Sequence, residues 1–154
     1  MIDILLCAVY LMLLGIVSFF LGRLLPKGLF GDRACFRAHG FEKNGRLYEK
    51  LGIRKWKDRL PDMSRIFPAL LPSKNGIEDV DTEVMIRETR VAEFVHAAIA
   101  VLGFPCVFIG GTAGAVVWLL WALGNVPFIM VQRYNRPRLE RLIALKKRRK
   151  QIDP

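Results

Sequence analysis

Two long stretches of this chain carry no charged residue: Ile4 to Gly22 and Phe94 to Gln132. All 24 Lys and Arg fall outside them, in one block from Arg23 to Arg90 and a second from Arg133 to Lys150. A water-soluble domain spreads charge along its sequence, because nearly every element has a face in water. Segregation on this scale excludes such a domain. Together with 53% apolar residues and three cysteines among 154 residues, it also excludes a disordered chain and a disulfide scaffold. What remains is a small integral membrane protein with its basic parts on one side of a bilayer. Cys7 and Cys106 lie in apolar runs and read as packing residues; Cys35 sits in a basic loop with no base at local spacing.

Ile4 to Gly22 has 19 residues, close to the roughly 20 that a helix needs to cross a hydrocarbon core. Its flanks are wrong for a signal peptide: only Asp3 precedes it, and Arg23, Pro26 and Lys27 follow. The positive-inside rule then puts the N-terminus outside and Arg23 in the cytoplasm. Phe94 to Gln132, at 39 residues, is too long for one straight crossing at about 1.5 Å per residue. Gly110-Gly111 divides it where a tight helical hairpin would turn, and Pro105 and Pro127 are expected to kink its arms. Basic flanks on both sides require an even number of crossings, so the stretch either spans twice or re-enters and returns.

The expected architecture is therefore an all-α membrane protein with about three transmembrane helices. Helix 1 covers 4–22, a cytoplasmic loop region 23–84, a polar-faced helix entering the membrane 85–109, and the last transmembrane helix 112–131. A basic cytoplasmic tail, 132–154, completes it. The loop holds Tyr48, Trp56 and several Phe, too aromatic for a linker. Lys43-Asn44-Gly45 and Lys74-Asn75-Gly76 read as turns, and Arg46 to Arg54 as a short helix. A second helical pattern starts near Asp81, with Asp81 or Thr82 as cap and Glu83 in its first turn. In the tail, Leu139, Leu142, Ile143 and Leu145 oppose Arg141, Lys146 and Lys147. An amphipathic basic helix of this kind suits anionic phospholipid. That accounts for the net charge of +10 without nucleic acid.

Chemistry concentrates on the helix from Met85 to His96. Taking Glu88 as zero at about 100° per residue, His96 falls near 80°, Thr89 near 100° and Glu93 near 140°. Two carboxylates, a hydroxyl and an imidazole thus share one face at about headgroup depth, where ionisable groups are expensive unless paired and so mark function. A carboxylate beside His96 would orient its ring and raise its basicity, as a general base requires. The bland alternative is pairing with loop residues alone. Glu93-x-x-His96 also has the spacing of one half of a di-iron site, but no second copy exists, so no metal is expected. Where the chain leaves the membrane, Gln132, Arg133, Tyr134, Asn135, Arg136 and Arg138 form a second cluster, whose guanidinium forks suit phosphate or carboxylate. Trp56 and Lys57, in a third basic group, read as an interfacial anchor or as one wall of an anion site.

Four stretches, FEKNGRLYEK at 41–50, IRKWKDRLP at 53–61, MIRETRVAEFVH at 85–96 and NVPFIMVQRYNRPRL at 125–139, resemble the small membrane glycosyl-4,4'-diaponeurosporenoate acyltransferases of staphylococcal carotenoid synthesis. They cover about a third of the chain in the family's order; where the family often has an aromatic after the His, Ala97 stands here. The resemblance implies a multi-pass enzyme of the bacterial cell membrane, with a cytoplasmic C-terminus, that transfers a fatty acyl group to a sugar hydroxyl of a membrane glycolipid. No cofactor is expected beyond an acyl thioester, on coenzyme A or a carrier protein, as co-substrate. In this reading His96 is the base, Glu93 or Glu88 orients it, and Arg133, Asn135, Lys57 or Trp56 binds the donor or stabilises the oxyanion. Partners are then the glycolipid acceptor, the acyl donor and anionic phospholipids, with self-association compatible with so few helices. The competing class is a non-catalytic membrane subunit or lipid-binding partner of a lipid-modifying enzyme.

Overall fold

The computed structural model describes residues 1–61 and 82–152, and every regular element among them is helical. Helix α1 spans Ile2–Leu24, α2 Arg46–Lys50, α3 Ile53–Trp56, α4 Thr82–Leu102 and α5 Cys106–Ile152. Short 3-10 turns fill much of the stretch between α1 and α2. The expected turn at Lys74-Asn75-Gly76 and the cap at Asp81 lie outside the described residues.

Helix α4 and the part of α5 beyond Gly111 are the antiparallel arms of a hairpin, since Gly111 breaks α5 into a short piece before it and a long one after it. Glu93 meets Arg133, His96 meets Asn125, Ile99 meets Trp121 and Ala100 meets Trp118. These pairs are nearly symmetric about Gly110-Gly111, where Gly111 has φ 53° and ψ −129°, a backbone state closed to side chains. The first arm is not continuous as far as 109. It breaks at Leu102, and the chain turns through Gly103 to Pro105 before Cys106 resumes helix, because Pro105 has no N–H to extend α4. In an apolar zone the freed carbonyls need partners. They have them: the Phe104 N–H turns back to Val101 at 3.0 Å, the Trp118 indole donates to Ala100 at 2.9 Å and the Tyr10 hydroxyl to Leu102 at 2.6 Å, while Trp121 adds a second bond to Ile99 at 3.0 Å.

Helix α1 lies along this hairpin. Cys7, Leu11 and Cys106 form a buried core with Trp118 and Trp121 around it, and near the other end Gly22 packs on Val91 and Val95. Among the described residues two helices are long and apolar enough to cross a membrane: α1, mean hydropathy 2.8, and α5 over Cys106–Arg149, mean hydropathy 2.0. Only 17% and 11% of these windows are buried inside the protein. Leu5, Leu13, Ile16 and Phe20 of α1 and Val116, Leu120 and Leu123 of α5 face outward, an exposure that suits a lipid environment. The third apolar helix of the sequence reading corresponds to α4, but only its second half is uncharged.

Lys43, Asn44 and Gly45 take φ of 47°, 55° and 92°, making the expected turn. The single helix expected from Arg46 to Arg54 is two short ones, split where Gly52 turns left-handed at φ 69°. Tyr48, Ile53 and Tyr134 form a second core with Trp56, Met130 and Val131, so α2 and α3 are seated on α5. The tail is not a separate helix: α5 continues through Pro127 and Pro137 to Ile152.

Gly114 carries the tightest approach in the hairpin. A Cβ there would lie 1.9 Å from the Cys106 carbonyl oxygen, whereas one at Gly124 would meet nothing within 4 Å. Gly114→Ala is expected to lower stability by about 1–3 kcal/mol, and Gly124→Ala to leave it level or slightly raised. Thermal unfolding in detergent, followed by circular dichroism, measures both; equal melting of the two variants would contradict the packing.

Candidate functional site

The polar face of α4 and the arginines of α5 come together, because the hairpin folds one onto the other. Glu93 accepts from Arg133 Nη1 at 2.5 Å and from Arg136 Nη2. Arg136 is 3% exposed; it also donates to the Thr89 hydroxyl at 3.1 Å and to the Thr89 and Phe36 carbonyls. Arg133 gives Nε and Nη2 to Glu42 at 2.5 and 3.0 Å, and its remaining bonds go to the Cys35 and Arg37 carbonyls. A guanidinium has five N–H groups, and Arg133 places all of them on protein oxygens.

This corrects two expectations. Arg133 and Arg136 are not open to an incoming anion; two carboxylates already neutralise them. Nor does Glu93 orient His96, since both of its oxygens are engaged by arginine, and Glu88 is exposed to solvent. The cleft beside the cluster, lined by Phe36, Glu42, Arg133, Arg136 and Glu140, has room for about one water molecule.

Sequence reasoning gave Glu42 and Tyr48 no role. Glu42 is 2% exposed. It takes the Tyr48 hydroxyl and, at 2.6 Å, the His39 backbone N–H, besides Arg133. Burial alone would raise its pKa; the donors from Arg133, Tyr48 and His39 outweigh burial and hold the carboxyl at about 2 against an ordinary 4.5. Burial and the bond to Glu42 push the Tyr48 phenol up to about 12. A depressed acid stabilises the fold fully above its unfolded value and loses that contribution as pH falls through the folded one. Stability is therefore expected to decline between pH 4.5 and about 2, by about 3 kcal/mol at 1.36 kcal/mol per unit. Denaturant titrations of wild type and Glu42→Gln across that window test this; parallel curves would overturn it.

Arg138 belongs to another group. It donates to Glu49 at 2.6 Å and lies over the Tyr134 ring, and Arg54 shares the same Glu49 at 2.6 Å. Tyr134 is 1% exposed, and its hydroxyl accepts from Arg54 at 3.2 Å. It is a packing residue of the second core, not a surface contact. Trp56 packs on that core and donates to Leu51 at 3.3 Å, while Lys57 pairs with Asp58 at 3.5 Å. Gln132 and Asn135 are half-buried on α5.

His96 lies where α4 and α5 meet, one turn beyond Glu93. Its Nδ1 is 2.8 Å from Asn125 Oδ1, and its ring stacks on Phe128 at 4.6 Å and 11°. Asn125 is 6% exposed. A lone amide in an apolar run was its only sequence signal; folding the hairpin about Gly110-Gly111 puts it opposite His96.

Fold and site define a small helical membrane protein with an imidazole and a neutralised ion cluster between two antiparallel helices. Residues 32–145 match the family described as glycosyl-4,4'-diaponeurosporenoate acyltransferase. Proteins of that name from Staphylococcus aureus strains N315 and USA300 are each 32% identical over 148 residues, covering 93% of this chain and 89% of theirs. No solved structure matches. The chain belongs to the glycosyl-4,4'-diaponeurosporenoate acyltransferase family and is an acyltransferase.

Proposed function

We propose that this chain moves a fatty acyl group from an acyl thioester to a sugar hydroxyl of a membrane glycolipid. A glycosylated carotenoid is the acceptor that its relatives' name implies. The observation that carries the chemistry is His96, a half-buried imidazole with one nitrogen bonded and its ring stacked between α4 and α5. His96 takes the sugar hydroxyl proton as the oxygen attacks the thioester carbonyl carbon. The tetrahedral intermediate then collapses, the C–S bond breaks, and the imidazolium returns its proton to the leaving thiolate. The product is an ester and a free thiol.

The ion cluster has a supporting part here. Arg133 and Arg136 fasten α4 to α5 and to the loop around Glu42, holding the neighbouring base in place. Donor phosphates fit Arg138 with Arg54, where two guanidinium groups share the single carboxylate of Glu49 and leave surplus positive charge. Trp56 packs on the core that holds Tyr134, over which Arg138 lies; Lys57, Asn135 and Gln132 are further donor contacts in this reading. The acyl chain and the acceptor's apolar body lie against the lipid-facing sides of α1 and α5. In this reading α1 and both arms of the hairpin cross the bilayer, with the N-terminus outside and the loop and C-terminus in the cytoplasm. The first arm reaches the far side through Cys106 to Gly110: a Cβ at Gly110 would lie 3.8 Å from Asp3. The basic tail meets anionic phospholipid.

The test is reconstitution of the purified chain in lipid nanodiscs with acyl-coenzyme A or acyl carrier protein and a glycosylated carotenoid, with mass spectrometry of the lipids. The expected product is heavier than the acceptor by one fatty acid less water. No acylated product from the chain with either donor would overturn the reading.

A further inference from the structure

We infer that Asn125 is a positioning residue, one that fixes which nitrogen of His96 carries the proton and so leaves Nε2 as the basic atom; this rests on the proposed role of His96. Asn125 Nδ2 is 2.8 Å from the carbonyl oxygen of Trp121, one turn back on its own helix. A carbonyl can only accept, so the amide nitrogen faces Trp121 and the amide oxygen faces His96. That oxygen lies 2.8 Å from His96 Nδ1. It too only accepts, so Nδ1 must be the protonated nitrogen of the neutral ring. The remaining lone pair then lies on Nε2.

Two further contacts hold this arrangement. The stack on Phe128, at 4.6 Å and 11° between planes, fixes the plane of the imidazole. Burial of Asn125, 6% exposed, removes water that would otherwise compete for Nδ1. The same oxygen keeps its bond when Nε2 gains a proton, since Nδ1 donates in both states. Among the described residues no carboxylate performs this task, because Glu93 is held by Arg133 and Arg136. An uncharged orienting group suits a base in an apolar zone, where a second charge would be costly.

The chain contains two histidines, His39 and His96, so nitrogen-15 labelling of histidine gives a spectrum simple to assign, with His96→Gln marking the His96 signals. At a pH where the ring is neutral, wild type is expected to show His96 protonated on Nδ1. Asn125→Ala is expected to move it toward the Nε2-protonated form that free histidine prefers. It is also expected to lower kcat by about 10- to 100-fold, with KM changed much less. Asn125→Asp still offers an oxygen to Nδ1 and is expected to keep the wild-type tautomer, with kcat between those of wild type and Asn125→Ala because of the charge it adds, a partial rescue that a purely structural role would not produce. Should Asn125→Ala fail to fold, the wild-type spectrum and the Asp variant still decide. A wild-type ring protonated on Nε2 overturns the assignment. A tautomer that shifts in Asn125→Ala while kcat holds overturns the catalytic role of His96 and leaves the geometry of Asn125 intact.

Discussion

Replacing His96 with alanine is expected to lower acyl transfer by on the order of 10²-fold or more, the range a positioned general base contributes. The reason is chemical. A sugar hydroxyl is a weak nucleophile until its proton has somewhere to go, and among the described residues the imidazole beside Asn125 and Phe128 is the one that lies between α4 and α5. Glu93 cannot substitute, since its charge is already shared by two guanidinium groups. Initial rates in nanodiscs check the expectation, together with thermal unfolding to confirm that His96→Ala is folded. Turnover near wild type in a folded His96→Ala would end the case for this base.

Glu93→Ala is expected to act on stability first. Glu93 neutralises Arg133 and Arg136, of which Arg136 is 3% exposed and Arg133 12%. Removing one partner of a buried ion cluster leaves uncompensated charge, which costs about 3–5 kcal/mol. For a chain of this size that is on the order of 10 °C in melting temperature. Glu88→Ala is the contrast, because Glu88 is exposed on the same helix and surface changes usually stay within about 0.5 kcal/mol. Melting of both variants in detergent separates the two carboxylates. A Glu93→Ala protein that melts with wild type yet loses activity like His96→Ala would show that Glu93 serves the chemistry after all.

The apolar, membrane-like character and the fold-back of the chain were legible in its sequence. Uncharged runs the length of a bilayer leave little choice of environment, and a glycine pair in the middle of such a run leaves little choice of turn. The family was legible as well, through strings such as NVPFIMVQRYNRPRL. The pairing inside the site was not. Helical spacing put Glu93 and His96 near one another, and a carboxylate beside an imidazole is a familiar pair. Yet spacing on one helix says nothing of what the facing helix offers. Arg133 and Arg136 compete for Glu93 with full positive charges, and a guanidinium fork holds a carboxylate more strongly than a neutral imidazole does. Likewise nothing in the order of residues said that Glu42, some fifty positions before Glu93, would occupy Arg133.

The order of residues by itself determined which segments suit a membrane and that the chain folds back on itself, because hydration of charge and burial of apolar surface act on each segment separately. Only the tertiary structure decided who holds whom: Asn125 rather than a glutamate on His96, and two glutamates rather than a ligand on Arg133. Hydrogen bonds and ion pairs are matters of a few ångströms between distant parts of the chain, and the packing of α4 on α5 sets those distances.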